Sequence, residues 1–164
     1  MTVAVVGIGL IGGSMMIDLR KRGFVNKIIG VDLNMQHRNI AQLCGIVDET
    51  DSLETAVDRS DLIILSSPVD ANCMMLPDIL DRIQGTKKVV TDMGSTKASI
   101  ARISEHHPAR GRYVALHPMA GTEFSGPLAA IGKLFDYKIA IVCDSEKSDA
   151  DALQTAESML DTLN

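Results

Sequence analysis

A glycine-rich turn near the amino terminus constrains the fold of this chain more than any other feature. The segment GIGLIG, residues 7–12, follows a short aliphatic run and opens an amphipathic stretch of helical period. Gly7 is expected to form the tight turn, Gly9 to let a pyrophosphate approach the backbone, and Gly12 to allow close contact between helix and strand. The first N–H groups of the helix, including those of Leu10 and Ile11, would then face the phosphates. The segment therefore predicts a dinucleotide-binding turn.

Asp32 ends the second predicted strand, twenty residues after Gly12. A carboxylate at this point can accept hydrogen bonds from both ribose hydroxyls of an adenosine, and it would repel the 2′-phosphate of NADP. Asp32 therefore favours NAD over NADP as the cofactor. Arg38 lies one helical turn into the next element and is in principle able to reach a 2′-phosphate, but we interpret it as a solvated helix residue.

Short aliphatic runs alternate with amphipathic stretches along the chain. Most of the runs lack polar alternation, as expected for strands of a parallel sheet that helices cover on both faces. The pattern predicts an α/β fold with a doubly wound, mostly parallel sheet, the Rossmann fold. The predicted strands are Val3–Gly7, Lys27–Asp32, Asp61–Ser66, Lys88–Asp92, Tyr113–Leu116 and Lys138–Asp144. The predicted helices are Leu10–Arg22, Met35–Cys44, Leu53–Arg59, Ala71–Ile83, Ser99–His106, Pro127–Leu134 and Ser148–Leu163.

The composition limits the classes of protein to which the chain can belong. Its 164 residues suffice for one domain, whose core must be aliphatic because the chain has no Trp, two Tyr and three Phe. The formal net charge of −5 argues against a nucleic-acid partner, which requires a basic face. No apolar run has the length of a membrane span, and no signal-peptide pattern precedes the first strand. We expect a cytoplasmic protein with reduced cysteines and no membrane association.

Two serine-containing loops follow predicted strands at their carboxyl ends, where open parallel sheets bind ligands. In the first, Ser66-Ser67-Pro68, the backbone is predicted to pass over the adenosine or the nicotinamide ribose. The alternative is an ordinary strand-to-helix turn with serine capping. In the second, DMGSTK at residues 92–97, Ser95 is placed to cap the following helix while keeping a hydroxyl proton free for a ligand.

His117 opens a third loop, HPMAGTEFSGP, at the end of the fifth predicted strand. An imidazole, which changes charge near neutral pH, can take a hydroxyl proton while hydride leaves the same carbon. His117 is therefore a candidate general base. The spacing of His37, His106 and His107 fits no familiar metal site, so we interpret these histidines as structural and predict no bound metal.

Together these segments resemble the prephenate dehydrogenase family and its close relative, arogenate dehydrogenase. The resemblance rests on GIGLIGGS with Asp32, SSPV at Ser66, DMGSTK at Asp92 and, most specifically, HPMAGTEFSGP at His117. It implies an NAD-dependent oxidative decarboxylation in tyrosine biosynthesis, which converts prephenate to 4-hydroxyphenylpyruvate. Hydride leaves the ring carbon that bears the hydroxyl, carbon dioxide is lost, and the ring becomes aromatic. The sequence leaves open whether prephenate or arogenate is the substrate.

The resemblance also assigns roles to individual residues. His117 matches the catalytic base, and Ser95 matches the serine that orients this histidine near the nicotinamide. Glu123, with Thr122 beside it, matches an acidic residue near the substrate entrance. Family members continue into a helical domain that binds the substrate carboxylates and forms most of a homodimer interface. We therefore expect residues 1–164 to be an NAD-binding domain truncated before that domain, with poor turnover on its own.

Two other functions remain open at this point. A β-hydroxyacid dehydrogenase would share a similar glycine turn and a helical second domain, but its catalytic lysine lies on that later domain, and it does not resemble the HPMAGTE segment. A non-catalytic NAD-sensing module would also fit a chain without a substrate domain. Such a sensor would not require Ser95 and His117 on the same edge of the sheet.

Overall fold

Helices cover both faces of a seven-stranded sheet in the computed structural model, which describes residues 1–164. The strands are β1 (Thr2–Val6), β2 (Lys27–Val31), β3 (Glu49–Thr50), β4 (Leu62–Leu65), β5 (Val89–Asp92), β6 (Tyr113–Pro118) and β7 (Ala140–Cys143). The helices are α1 (Leu10–Lys21), α2 (Met35–Leu43), α3 (Leu53–Arg59), α4 (Val69–Ile83), α5 (Ala98–Ser104) and α6 (Ala150–Leu163). Short 3-10 turns lie at Arg110–Arg112, Pro127–Ala129 and Ser145–Lys147.

The strands lie in the order β3-β2-β1-β4-β5-β6-β7. Each neighbouring pair from β3 to β6 is parallel, whereas β7 runs antiparallel to β6. The chain switches direction across the sheet between β1 and β4, and such sheets bind ligands in the crevice beyond the carboxyl ends of the strands at this point. The Rossmann fold predicted from the sequence is thus confirmed.

Two aliphatic layers, one on each face of the sheet, form the core. Helices α1 and α6 pack on one face together with Leu134 and Phe135, while α3, α4 and α5 pack on the other. Strand residues enter the two layers in alternation, as Val5 and Val6 do. Tyr113 is the one aromatic side chain with no exposed surface. No helix combines the length and the apolar character needed to cross a lipid bilayer.

Short strands form both edges of the sheet. The two-residue β3, which pairs with β2, was not predicted because it contains no aliphatic run. At the other edge, β7 has four residues and is shorter than the predicted Lys138–Asp144. Tyr137 and Asp144, with φ of 58° and 48°, turn the backbone out of the extended conformation before and after this strand.

The predicted helix at Pro127–Leu134 is wrong, because only its first three residues form a 3-10 turn. Two polar side chains of α1 bind the backbone that would have continued it. The Ser14 hydroxyl accepts a hydrogen bond from the Ile131 N–H at 2.9 Å, and the Asp18 carboxylate accepts one from the Lys133 N–H at 2.8 and 3.0 Å. These N–H groups cannot also bond to carbonyls four residues earlier. Lys133 instead adopts a φ of 65°, outside the helical range.

Removal of the Asp18 carboxylate tests this account. Asp18 is buried, so Asp18→Ala leaves the Lys133 N–H without its acceptor, and we expect the free energy of unfolding to fall by about 1–3 kcal/mol. Urea unfolding measures the change. Glu157→Ala, on the exposed face of α6, is the control and should stay within about 0.5 kcal/mol of the unsubstituted chain. Equal losses of unfolding free energy in the two variants would contradict the conclusion that Asp18 stabilises the fold by accepting the Lys133 N–H.

Candidate active site

The carboxyl ends of four neighbouring strands bring the predicted site segments to one edge of the sheet. The glycine turn follows β1, the Ser66 loop follows β4, the Ser95 loop follows β5, and His117 is the penultimate residue of β6. Asp92 of β5 is in register with Ala115 of β6. His117 lies two residues beyond this pair, still within β6 and paired with Ile141 of β7, whereas Ser95 lies three residues beyond it in the loop after β5.

The three glycines of the turn face different surroundings. Gly7 has a φ of 88°, and a Cβ atom there would lie 2.8 Å from the Ser67 backbone nitrogen. A Cβ atom on Gly12 would overlap the Ser66 hydroxyl and the Gly7 carbonyl. A Cβ atom on Gly9 would meet no atom within 4 Å. The fold itself thus requires glycine at positions 7 and 12. It does not require glycine at position 9, where a Cβ atom would project into open space outside the protein.

The amino terminus of α1 presents unpaired donors beside this space. The first helical hydrogen bond runs from the Gly13 N–H to the Gly9 carbonyl at 2.8 Å, so the N–H groups of Leu10, Ile11 and Gly12 precede the helical ladder. The residue that caps the helix is Gly9, which has no side chain to bind them, and the first turn contains no acidic residue. Free N–H groups at the positive end of a helix fit an anionic pyrophosphate.

Asp32 is fixed at the end of β2, next to the glycine turn. Its carboxylate accepts hydrogen bonds from the Ile8 N–H at 3.0 Å and the Asn34 N–H at 2.8 Å. The expectation that Arg38 is simply solvated is wrong, because its guanidinium donates to the Asp32 carbonyl at 2.5 Å. His37 is also engaged, with its Nδ1 atom 3.5 Å from an Asp32 carboxylate oxygen.

The Ser66 loop supports the glycine turn from the neighbouring strand. The Ser66 hydroxyl donates towards the Gly7 carbonyl at 2.7 Å and lies 3.1 Å from the Val6 carbonyl. Its single hydroxyl proton is therefore used within the fold. Helix α4 begins directly after Pro68, whose side chain cannot cap it, so the alternative of serine capping is wrong for this helix. Pro68 is exposed, and Ser67 is half-buried against Gly7.

Ser95 does not cap α5, contrary to the expectation. The helix begins at Ala98, its N-cap position is Lys97, and no side chain caps it. The Asp92 carboxylate holds the conformation of this loop, because it accepts hydrogen bonds from the Gly94 N–H at 3.0 Å and the Lys97 ammonium at 2.6 Å. Ser95 is left exposed at the sheet edge and takes part in no hydrogen bond within the chain.

A buried polar cluster beneath this loop was missed in the sequence. The other oxygen of the fully buried Asp92 carboxylate accepts the Tyr113 hydroxyl at 2.6 Å. Burial lowers the pKa of Lys97, although Asp92 opposes the shift, and burial together with Asp92 raises the pKa of the Tyr113 hydroxyl. The available signals were the Asp–Lys spacing within DMGSTK and a lone tyrosine opening an aliphatic strand.

His117 lines an open depression of about 630 Å³ between the loop that follows β6 and the segment that precedes β7. Thr122, Lys133 and Lys138 also line it, and the two lysines were not predicted as site residues. They give the depression a positive charge, the sign that a carboxylate ligand requires. Glu123 is exposed in the same loop and does not line the depression.

Free helical N–H groups beside an open glycine, with a carboxylate at the end of the second strand, define a dinucleotide-binding domain of the dehydrogenase class. Within that class, the chain belongs to the prephenate dehydrogenase family. The family model described as "Prephenate dehydrogenase, nucleotide-binding domain" matches residues 16–164. The resemblance predicted from the sequence is therefore confirmed.

Individual relatives show the same relationship. Prephenate dehydrogenase of Bacillus subtilis is 30% identical over 99% of this chain, which corresponds to 44% of that protein. The crystal structure of Aquifex aeolicus prephenate dehydrogenase with hydroxyphenyl propionate and NAD⁺ superposes with a TM-score of 0.85 at 30% identity, covering 99% of this chain and 57% of that one. Synechocystis arogenate dehydrogenase gives a TM-score of 0.86 at 29% identity, with 99% and 57% covered. The chain thus spans about half the length of these relatives.

Substitution of two glycines by alanine separates the needs of the fold from those of the ligand. Gly12→Ala overpacks the contact with Ser66, and we expect it to lower the free energy of unfolding by about 1–3 kcal/mol. Gly9→Ala meets open space and should leave the fold stable while weakening the binding of a dinucleotide, NAD or NADP, at least about tenfold, or about 1.4 kcal/mol. Urea unfolding and calorimetric titration measure the two effects. Wild-type affinity in Gly9→Ala would show that the phosphates lie elsewhere.

Proposed function

We propose that this chain is the cofactor-binding domain of an enzyme that oxidises and decarboxylates prephenate to 4-hydroxyphenylpyruvate with NAD, in tyrosine biosynthesis. Arogenate, whose side chain ends in an amino acid instead of a keto acid, is the alternative substrate. One observation carries the proposal: in a chain of this family, His117 and the Ser95 loop lie on the same sheet edge as the glycine turn. A hydroxyl-oxidising site and a dinucleotide site are then adjacent.

Asp32 supports NAD as the cofactor. A carboxylate has about four lone-pair sites, and two backbone N–H groups engage Asp32, so acceptor capacity remains for ribose hydroxyls. Its negative charge disfavours a 2′-phosphate. Arg38 points to the Asp32 carbonyl, which reduces its availability for that phosphate. Backbone N–H groups of Leu10, Ile11 and Gly12 would hold the pyrophosphate, with Ser66, Ser67 and Pro68 beside the glycine turn.

Asp32→Asn tests the cofactor preference. The amide keeps the size of the side chain and one acceptor oxygen but removes the charge, so we expect NAD to bind more weakly and NADP to be tolerated better. The preference for NAD over NADP should fall by about tenfold, or about 1.4 kcal/mol. Asp48→Asn is a matched control, because Asp48 accepts the Ile28 N–H at the opposite end of β2. An unchanged ratio of the two dissociation constants in Asp32→Asn would contradict the proposal.

In the proposed mechanism, His117 accepts the proton of the substrate hydroxyl while Ser95 orients the imidazole. The electrons of the O–H bond form the carbonyl as hydride departs from the same carbon. The bound nicotinamide supplies the hydride acceptor. The ring C–CO₂⁻ bond then breaks, its electron pair completes the aromatic ring, and protonated His117 returns the proton to the phenol oxygen. Because aromatisation makes the reaction strongly favourable, the main task of the site is alignment.

The remainder of the substrate site is proposed to lie outside residues 1–164. Several large apolar side chains near the depression are exposed, among them Met119, Phe124, Ile131 and Ile139. We propose that a helical domain covers them, completes the binding of the substrate carboxylates alongside Thr122 and Glu123, and forms a homodimer. The length of the relatives supports this division, since the chain covers 44% of the Bacillus subtilis protein.

Assay of the full-length protein with prephenate and arogenate, each with NAD and with NADP, tests the proposed reaction. In that protein, His117→Asn should lower turnover by about 10²–10⁴-fold, because the hydroxyl proton loses its acceptor, and should leave NAD affinity unchanged. His106→Asn, at an exposed histidine, is the control and should be fully active. Full turnover by His117→Asn, or by residues 1–164 alone, would refute the proposal.

A further inference from the structure

We propose that Tyr113 and Asp92 are positioning residues, which hold the Ser95 loop and the strand that carries His117 in a fixed relation to each other. The inference rests on the proposed function, because it concerns His117, the proton acceptor assigned there, and Ser95, which orients it. It adds a residue, Tyr113, that lies outside the segments on which the family resemblance rests.

One carboxylate fixes both ends of the Ser95 segment. The same oxygen of Asp92 accepts the Gly94 N–H at 3.0 Å and the Lys97 ammonium at 2.6 Å. Gly94 and Lys97 flank Ser95 and Thr96, which are both exposed. The position of Ser95 is therefore set by bonds on either side of it to a group that is fully buried.

The second oxygen of this carboxylate ties the loop to β6. It accepts the Tyr113 hydroxyl at 2.6 Å, and Tyr113 lies four residues before His117 on one strand, so the two side chains leave the same face of the sheet. The backbone pairing of β5 with β6 ends at Asp92 and Ala115, two residues short of His117. The bond between Tyr113 and Asp92 thus connects the two strands through their side chains, on the face from which the His117 ring projects.

The chemistry of this cluster favours a geometric role over a purely stabilising one. A buried ion pair gains little stability relative to apolar residues of similar volume, because the charges lose their hydration. The surrounding layer is aliphatic, and an apolar side chain would have filled this space. Hydrogen bonds differ from apolar contacts in that they specify direction as well as proximity. A cluster that bonds to residues on both sides of Ser95 and to the His117 strand supplies that direction.

Tyr113→Phe in the full-length protein tests the proposal, because it removes one hydroxyl and keeps the ring. We expect kcat to fall by roughly 10- to 100-fold through misalignment, while the dissociation constant for NAD stays unchanged. The deuterium isotope effect on kcat should rise, measured with prephenate or arogenate deuterated at the hydroxyl-bearing ring carbon. In the substrate-free protein, amide hydrogen exchange should accelerate locally at residues 94–97 and 115–117.

Ile83→Val is the matched control. Ile83 is fully buried in the same aliphatic layer but ends α4, away from the sheet edge that bears the site, so its substitution lowers stability alone. Lys97→Gln is the second variant and should lower kcat in the same way. It tests the role of the cluster if Tyr113→Phe does not fold. If Tyr113→Phe, or Lys97→Gln where Tyr113→Phe does not fold, matches Ile83→Val in kcat, isotope effect and local exchange, the proposal is overturned. A wild-type protein that oxidises neither substrate would instead overturn the proposed function, and the role of the cluster with it.

Discussion

The contact of α1 with the ends of β1 and β4 leaves no room for a single methyl group, and the rest of the site depends on it. Because Gly12 has no side chain, the helix approaches the Ser66 hydroxyl and the Gly7 carbonyl directly. Ser66 in turn donates to that carbonyl, which joins the turn to the neighbouring strand. The close approach aims the first N–H groups of α1 beyond the sheet edge and brings the Ile8 N–H within reach of Asp32.

Apolar and polar side chains have different structural roles in this molecule. Aliphatic side chains supply the two core layers, and the backbone of the sheet edge is held by a small number of buried or half-buried polar groups. Asp18 binds the segment that leads into β7, Asp32 binds the glycine turn, and Asp92 binds the Ser95 loop, each by accepting a backbone N–H. Apolar packing alone would give the layers but would not fix the loops, because dispersion contacts tolerate small displacements that hydrogen bonds do not.

The sequence was sufficient for the glycine turn and for every strand except β3, because these depend on local signals, namely glycine spacing and aliphatic runs. It was insufficient where a distant residue decides the outcome. The segment after Pro127 has helical composition, yet Ser14 and Asp18, more than one hundred residues earlier, bind its N–H groups. Ser95 has the chemistry of a helix cap, but the Asp92 carboxylate holds the preceding turn and moves the helix start to Ala98. The bond between Asp92 and Tyr113 could not be foreseen, because it required the pairing of β5 with β6.

The two short edge strands bear on how the protein behaves at high concentration. An exposed edge is a template on which another molecule can add a strand, and this process leads to aggregation. Here β3 offers two residues and β7 four, and left-handed residues before and after β7 bend the backbone away from the sheet. An incoming strand would find too few N–H and C=O groups to pair with. The chain can therefore expose Ile139, just before its outermost strand, and Ile141, within that strand, without offering a long edge to which a second molecule could add a strand.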